Sequence, residues 1–132
     1  MMKRVVLVLA VSLVILSCRT VRADIPDDLT QAELIQQAQE AADQENWEAA
    51  LAYYQAVVDR FPQDRAATVA ARYEMAFIEY KRGNLEAAEA GFEQVLGVYD
   101  FESEGLPQWP RVLSERLLEE IEADRNAQST EQ

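Results

Sequence analysis

From Asn46 onward the apolar residues fall into a rhythm that returns after 38 positions. Shifted by 38, Asn46-Trp47-Glu48-Ala49-Ala50 lies over Asn84-Leu85-Glu86-Ala87-Ala88, and the match continues through Tyr54 with Phe92, Val57 with Val95, Val58 with Leu96 and Phe61 with Tyr99. In each copy the apolar positions stand at offsets 0, 3, 7, 10, 11 and 14 from the first, which is one stripe of an α-helix; a half-buried strand would need strict alternation. Each copy predicts one amphipathic helix, and the recurrence predicts a repeat architecture.

Upstream of each copy lies a further helix-compatible stretch, over about Thr30 to Asp43 and about Asp64 to Arg82, so the repeating unit is a helix pair. Thr30-Gln31-Ala32-Glu33 has the form of a capping box, in which the hydroxyl and the carboxylate each answer a backbone N–H that the first turn leaves unpaired. Gly83-Asn84 breaks the second pair, the glycine taking the left-handed conformation of a helix end and Asn84 capping the next helix. Phe61-Pro62 closes the first pair, because proline cannot continue a helix.

Two hairpins leave apolar faces uncovered at the end of the stack. Residues 105–110, Gly-Leu-Pro-Gln-Trp-Pro, predict a rigid loop entering a helix with Pro110 in its first turn, and Leu113, Leu117, Leu118 and Ile121 then form the stripe of a capping helix. The acids of its other face, Glu115, Glu119, Glu120, Glu122 and Asp124, point in several directions and lack a glycine-bearing calcium loop, so they predict a solvated face and no metal site. Residues 126–132 are expected to form a disordered tail.

The chain opens differently. Met1 to Arg4 make a short positive start, and Val5 to Leu16 an apolar run, the layout of a secretory signal. At about 1.5 Å per residue such a run covers roughly 18 Å of a hydrocarbon core about 30 Å thick, too little to span it. Ile15-Leu16-Ser17-Cys18 resembles a bacterial lipobox, whose cysteine is diacylated (palmitate-type chains) and becomes the new N-terminus. The implied organisation is a signal peptide over 1–17, the acylated Cys18 with a flexible tether over 18–28, a helical domain over 29–125 and the tail. The alternative is cleavage after Ala23, which would release a soluble periplasmic or secreted protein beginning at Asp24.

Composition supports an all-α fold and narrows the chemistry. Four glycines and four prolines are too few for a strand-and-turn architecture. The net charge of −12 would be repelled by a phosphate backbone, which argues against a nucleic-acid partner and for one with a basic or apolar surface. Loss of Lys3 and Arg4 with the leader would leave the mature chain more acidic still. There is no histidine, which removes the commonest general base and the commonest nitrogen ligand, and the single cysteine, Cys18, has no disulfide partner within the chain. Neither an enzyme nor a cofactor is expected.

Over roughly residues 30 to 100 the chain resembles the tetratricopeptide repeat family. The resemblance rests on Ala38, Trp47, Ala50, Tyr54 and Phe61-Pro62 in the first copy, and on Ala76, Gly83-Asn84-Leu85, Ala88 and Phe92 in the second. Gln37, Ala41 and Glu79 depart from the family's usual residues, and the period of 38 exceeds its usual length of about 34. The longer period and the leader are similar to the family's envelope members, which include lipoproteins of outer-membrane barrel assembly and soluble accessories of the Tol-Pal system. The resemblance implies a short right-handed stack of two hairpins plus the capping helix, acting as an adaptor or scaffold on the periplasmic side of a bacterial membrane. It also implies that the first helix of each pair lines a concave groove, with Ile35, Gln39, Asp43, Tyr73, Phe77 and Tyr80 toward it and Lys81 at its edge.

The residues themselves leave two readings of that surface open. Tyr73, Phe77 and Tyr80 share one side of their helix while Ala71, Met75 and Ile78 fall nearly opposite, and a single neighbour cannot bury both stripes. The aromatic stripe is either a partner-binding surface or packing against the cap helix or the first hairpin. A carrier or transporter accessory holding a small apolar ligand in the groove is the alternative function, and homodimerisation through an open end of the stack is a further expectation.

Overall fold

A computed structural model describes residues 24–130; Cys18, the signal segment and the cleavage site after Ala23 lie outside them. The described residues are all-α: α1 (Gln31–Asp43), α2 (Trp47–Arg60), α3 (Arg65–Lys81), α4 (Leu85–Phe101) and α5 (Trp109–Thr130). α1 pairs with α2 and α3 with α4, each across a three-residue turn that forces antiparallel neighbours; α2 joins the hairpins through α3, and α5 lies mainly on α4.

The boundaries follow from local chemistry. At the start of α1 the Glu33 amide donates to Thr30 Oγ1 at 3.3 Å and the Thr30 amide donates to Glu33 Oε2 at 2.8 Å, completing the capping box. Asn46 and Asp64 cap α2 and α3 by accepting from the amides of Ala49 and Ala67. Asn84 stands at the N-cap of α4 but its side chain does not cap; its Nδ2 donates to Glu79 Oε2 at 2.6 Å, drawn away by a carboxylate that also holds Arg82.

The turns inside the hairpins repeat as faithfully as the helices. The Asn46 amide donates to Ala41 and the Glu45 amide to Ala42; 38 residues on, Asn84 donates to Glu79 and Gly83 to Tyr80. Both are Schellman closures, which need a left-handed residue just past the helix. The second copy supplies Gly83 (φ 79°), whereas the first uses Glu45 (φ 57°), a conformation that crowds an ordinary side chain.

The repeat positions form the core. Ala50, Tyr54 and Val57 are buried in one cluster with Phe61 packed against it, and their counterparts Ala88, Phe92, Val95 and Tyr99 are buried in another. α3 lies between them, presenting Ala71 and Ile78 to the first and Val69, Tyr73 and Ala76 to the second. It therefore has two neighbours. Leu113, Leu117, Leu118 and Ile121 of α5 close the second cluster, as the stripe predicts.

Two expectations are corrected. Residues 25–28 of the expected tether are docked rather than flexible, because Ile25 packs on the first cluster beside Leu29 and the Arg60 guanidinium donates to the carbonyls of Pro26 (2.7 Å) and Ile25 (3.0 Å). α5 continues to Thr130 instead of ending at 125, with Ser129 and Thr130 hydroxyls returning to the carbonyls of Arg125 and Asn126 and with Arg125 paired to Glu89. No described helix is long and apolar enough to cross a membrane.

Candidate binding cleft

The aromatic residues of α3 belong largely to the interior. Tyr73 is 5 % exposed, stacks on Phe77 (6.0 Å between ring centroids), and meets Phe92 and Trp109 at 5.8 and 5.1 Å. Phe77 and Tyr80 are partly buried against the same cluster, and the Tyr80 hydroxyl donates to Glu120 at 2.8 Å. This is the packing alternative. The placement of Tyr73 in a groove is corrected, because α4 and α5 claim that side of α3. Lys81 lies outside with its ammonium 5.2 Å from the Trp47 ring and 5.8 Å from the Phe77 ring, a cation held by aromatic faces of both hairpins.

A cleft does open between α1 and α3, along the edge of the α3 face that packs on the first cluster. Its floor is Ala67, Ala70 and Ala71, its walls are Ile35 and Gln39 of α1 and Trp109 of α5, and Tyr54 and Glu74 complete the lining; its volume is about 110 Å³. Of the seven residues expected at a groove, Ile35 and Gln39 line it, and Asp43 stands exposed at the end of α1, close enough to act on the Tyr54 hydroxyl by charge. Small side chains are what make the space: with alanine at three positions of one face, α3 leaves unfilled volume where larger residues would close on α1.

Glu74 and Trp109 carry the chemistry of the cleft, and neither was among the expected site residues. The Glu74 carboxylate forms no hydrogen bond or ion pair among the described residues, and burial pushes its pKa above the usual carboxylate range while Lys81 pulls weakly the other way. Burial and the nearby Glu74 charge raise the Tyr73 hydroxyl to about 12 and the Tyr54 hydroxyl further, so both phenols stay protonated as donors at any physiological pH. Trp109 is 41 % exposed, unusual for a residue of its size in contact with the core. The sequence signal for this face was the spacing Ala67, Ala70, Ala71, Glu74, a helical stripe of small residues ending in a carboxylate.

Among the described residues no three carboxylate, histidine or cysteine side chains gather as a metal-holding group. No family model matches the sequence, and no solved structure matches it. The chain is 36 % identical over 77 residues to an uncharacterized protein of Treponema pallidum (strain Nichols), a match covering 58 % of this chain and 31 % of that protein. The chain thus spans less than a third of the length of the relative it matches.

Proposed function

We propose that this chain is a non-catalytic protein-binding module of the bacterial cell envelope, an adaptor or scaffold that receives its partner in the cleft between α1 and α3. The observation that carries the reading is the cleft itself, a concavity between the first helices of two stacked hairpins, walled by Ile35 and a half-exposed tryptophan. Tryptophan is among the residues most enriched at the energetic centres of protein contact surfaces. The envelope setting rests on the leader and on Cys18, which would tether the module at the periplasmic face through its acyl chains.

The carrier reading fits the cleft less well. An apolar cargo would bury Glu74 without a partner, and an unpaired carboxylate in an apolar surround is costly.

Photo-crosslinking in cells of the native host tests the proposal. A photoreactive residue at Gln39, exposed on the cleft wall, should give a discrete adduct with another protein, whereas one at Gln94, in the trough that α4 lines on its other side with Met75 and Ala87, should not. Equal labelling from both, or none from Gln39, would refute it. Intact-mass measurement of the isolated protein tests the tether: a diacyl or triacyl adduct on Cys18 is expected, and a chain beginning at Asp24 would remove the anchor from the proposal.

A further inference from the structure

Resting on the reading of the α1–α3 cleft as the partner site, we propose that the cleft accepts an arginine side chain of the partner protein, with Glu74 as the residue that selects it. The argument begins with a carboxylate that lacks a partner. Glu74 stands within the cleft, half-buried, with no hydrogen bond or ion pair among the described residues. The nearest cation, Lys81, is spent elsewhere, lying over the rings of Trp47 and Phe77 and not within ion-pairing distance of Glu74. Glu79, Glu89 and Glu115 each hold an arginine, and carboxylates that hold none, such as Glu48, Glu86 and Glu119, stand exposed to water, so Glu74 differs from them in being half-buried.

The surroundings of Glu74 match a guanidinium on a long stem better than a compact ammonium. Ala67, Ala70 and Ala71 leave a smooth apolar floor on which three methylenes can lie, facing Ile35. The half-exposed Trp109 offers an aromatic wall, and a planar, weakly hydrated guanidinium stacks on such a ring while donating two parallel hydrogen bonds to a carboxylate. The Gln39 side chain adds a further acceptor at the rim. At longer range, all 24 acidic residues lie from Asp24 onward, so the folded part draws a cationic partner toward it.

The experiment uses the mature protein as isolated from cells, with its tryptophans replaced biosynthetically by 5-fluorotryptophan, so that Trp47 and Trp109 give separate fluorine resonances. The probes are acetyl-Leu-Arg-Leu-amide, its citrulline counterpart, which keeps the shape and loses the charge, and its lysine counterpart. The arginine peptide is expected to shift the Trp109 resonance saturably and leave Trp47 in place, to bind about tenfold more tightly than the citrulline peptide, and to exceed lysine by a smaller factor. Glu74→Gln should remove about that tenfold preference and leave citrulline binding unchanged. The variant is expected to fold, since it neutralises a carboxylate that burial disfavours, and an unchanged helical spectrum checks this. Equal binding of the arginine and citrulline peptides, an arginine preference that survives Glu74→Gln, or equal shifts of Trp47 and Trp109 would each overturn the proposal. A clear arginine preference with no protein crosslinked from Gln39 would sink the adaptor reading and the protein partner with it, leaving a site for small guanidino compounds. Crosslinking without an arginine preference would sink the selection by Glu74 alone.

Discussion

Gly91 in the middle of α4 is where that helix lies directly against α3, its partner in the second hairpin. A methyl group built there would stand 2.7 Å from Ala76 Cβ and 3.3 Å from Ala76 Cα on α3, closer than two carbons can come without displacement. Ala76 cannot move aside by a rotamer change, so α3 and α4 themselves must part. Gly91→Ala therefore sets two effects against each other. Replacing glycine by alanine in a helix interior normally gains about 0.8–1 kcal/mol. Forcing an extra methyl into a close-packed contact costs about 1–3 kcal/mol. The contact should win, leaving the variant about 1 kcal/mol less stable, or roughly 4–8 °C lower in Tm for a domain of this size.

Gly97 supplies the control, because it lies in the same helix and a methyl group there meets nothing within 4 Å. Gly97→Ala should raise stability by about 1 kcal/mol. The gap between the two alanine variants, roughly 2 kcal/mol, is a firmer expectation than either value, since both share the same change in propensity. Urea denaturation followed by circular dichroism measures it. Adding Ala76→Gly to Gly91→Ala should recover part of the loss, with a coupling on the order of 1–2 kcal/mol. If Gly91→Ala stabilises the protein as much as Gly97→Ala, the close approach of α3 and α4 is not what requires glycine, and the account of the contact within the second hairpin fails.

Three further outcomes follow from single sites. Glu45→Gly should raise stability by about 0.5–1 kcal/mol in the same assay, because it relieves a left-handed glutamate, while Gly83→Ala at the equivalent turn should lower it by about 1–2 kcal/mol. Arg60→Met should release residues 25–29, seen as faster proteolytic cleavage within the segment with α3 to α5 unchanged; an unchanged cleavage rate would show that Ile25 and Leu29 hold the segment without the guanidinium clasp. Glu74 has a folded-state pKa raised by burial, so its penalty is full at neutral pH and disappears as pH falls through that value toward 4.5. Glu74→Gln should thus raise Tm by a few degrees at pH 7 and make no difference near pH 4, and an advantage that persists at pH 4 would refute burial of the charge as its cause.

How much of this could be read from the sequence depended on whether a feature is local. The helix pairs were legible because caps and periods act within a few residues: Thr30 and Asp64 stand at the N-caps, and the shared offsets of Ala50, Tyr54 and Val57 with Ala88, Phe92 and Val95 are the buried faces, while the leading Leu85 is left exposed. Asn84 was misjudged because its side chain answers to Glu79, five residues back across the turn, a competitor that capping preferences do not include. The docking of residues 25–28 was invisible because it depends on Arg60, whose hydrogen bonds to Ile25 and Pro26 span 35 and 34 residues.

The cleft was half legible for a reason that lies in α3. Two apolar stripes on one helix implied two neighbours, and α3 does pack on both hairpin cores. A helix gripped from two sides keeps only a narrow strip between them, and the residues found there are those least conspicuous by hydrophobicity: alanines, two of which also pack on the first cluster, and one glutamate. Attention to the aromatic stripe placed the contact surface where the chain has instead built its core, since large apolar groups are drawn inward by the area they can bury. In so small a stack, with one capping helix already covering the aromatic side, the surface left for a partner is the one where the side chains are small enough to leave room and where a single carboxylate is still unpaired.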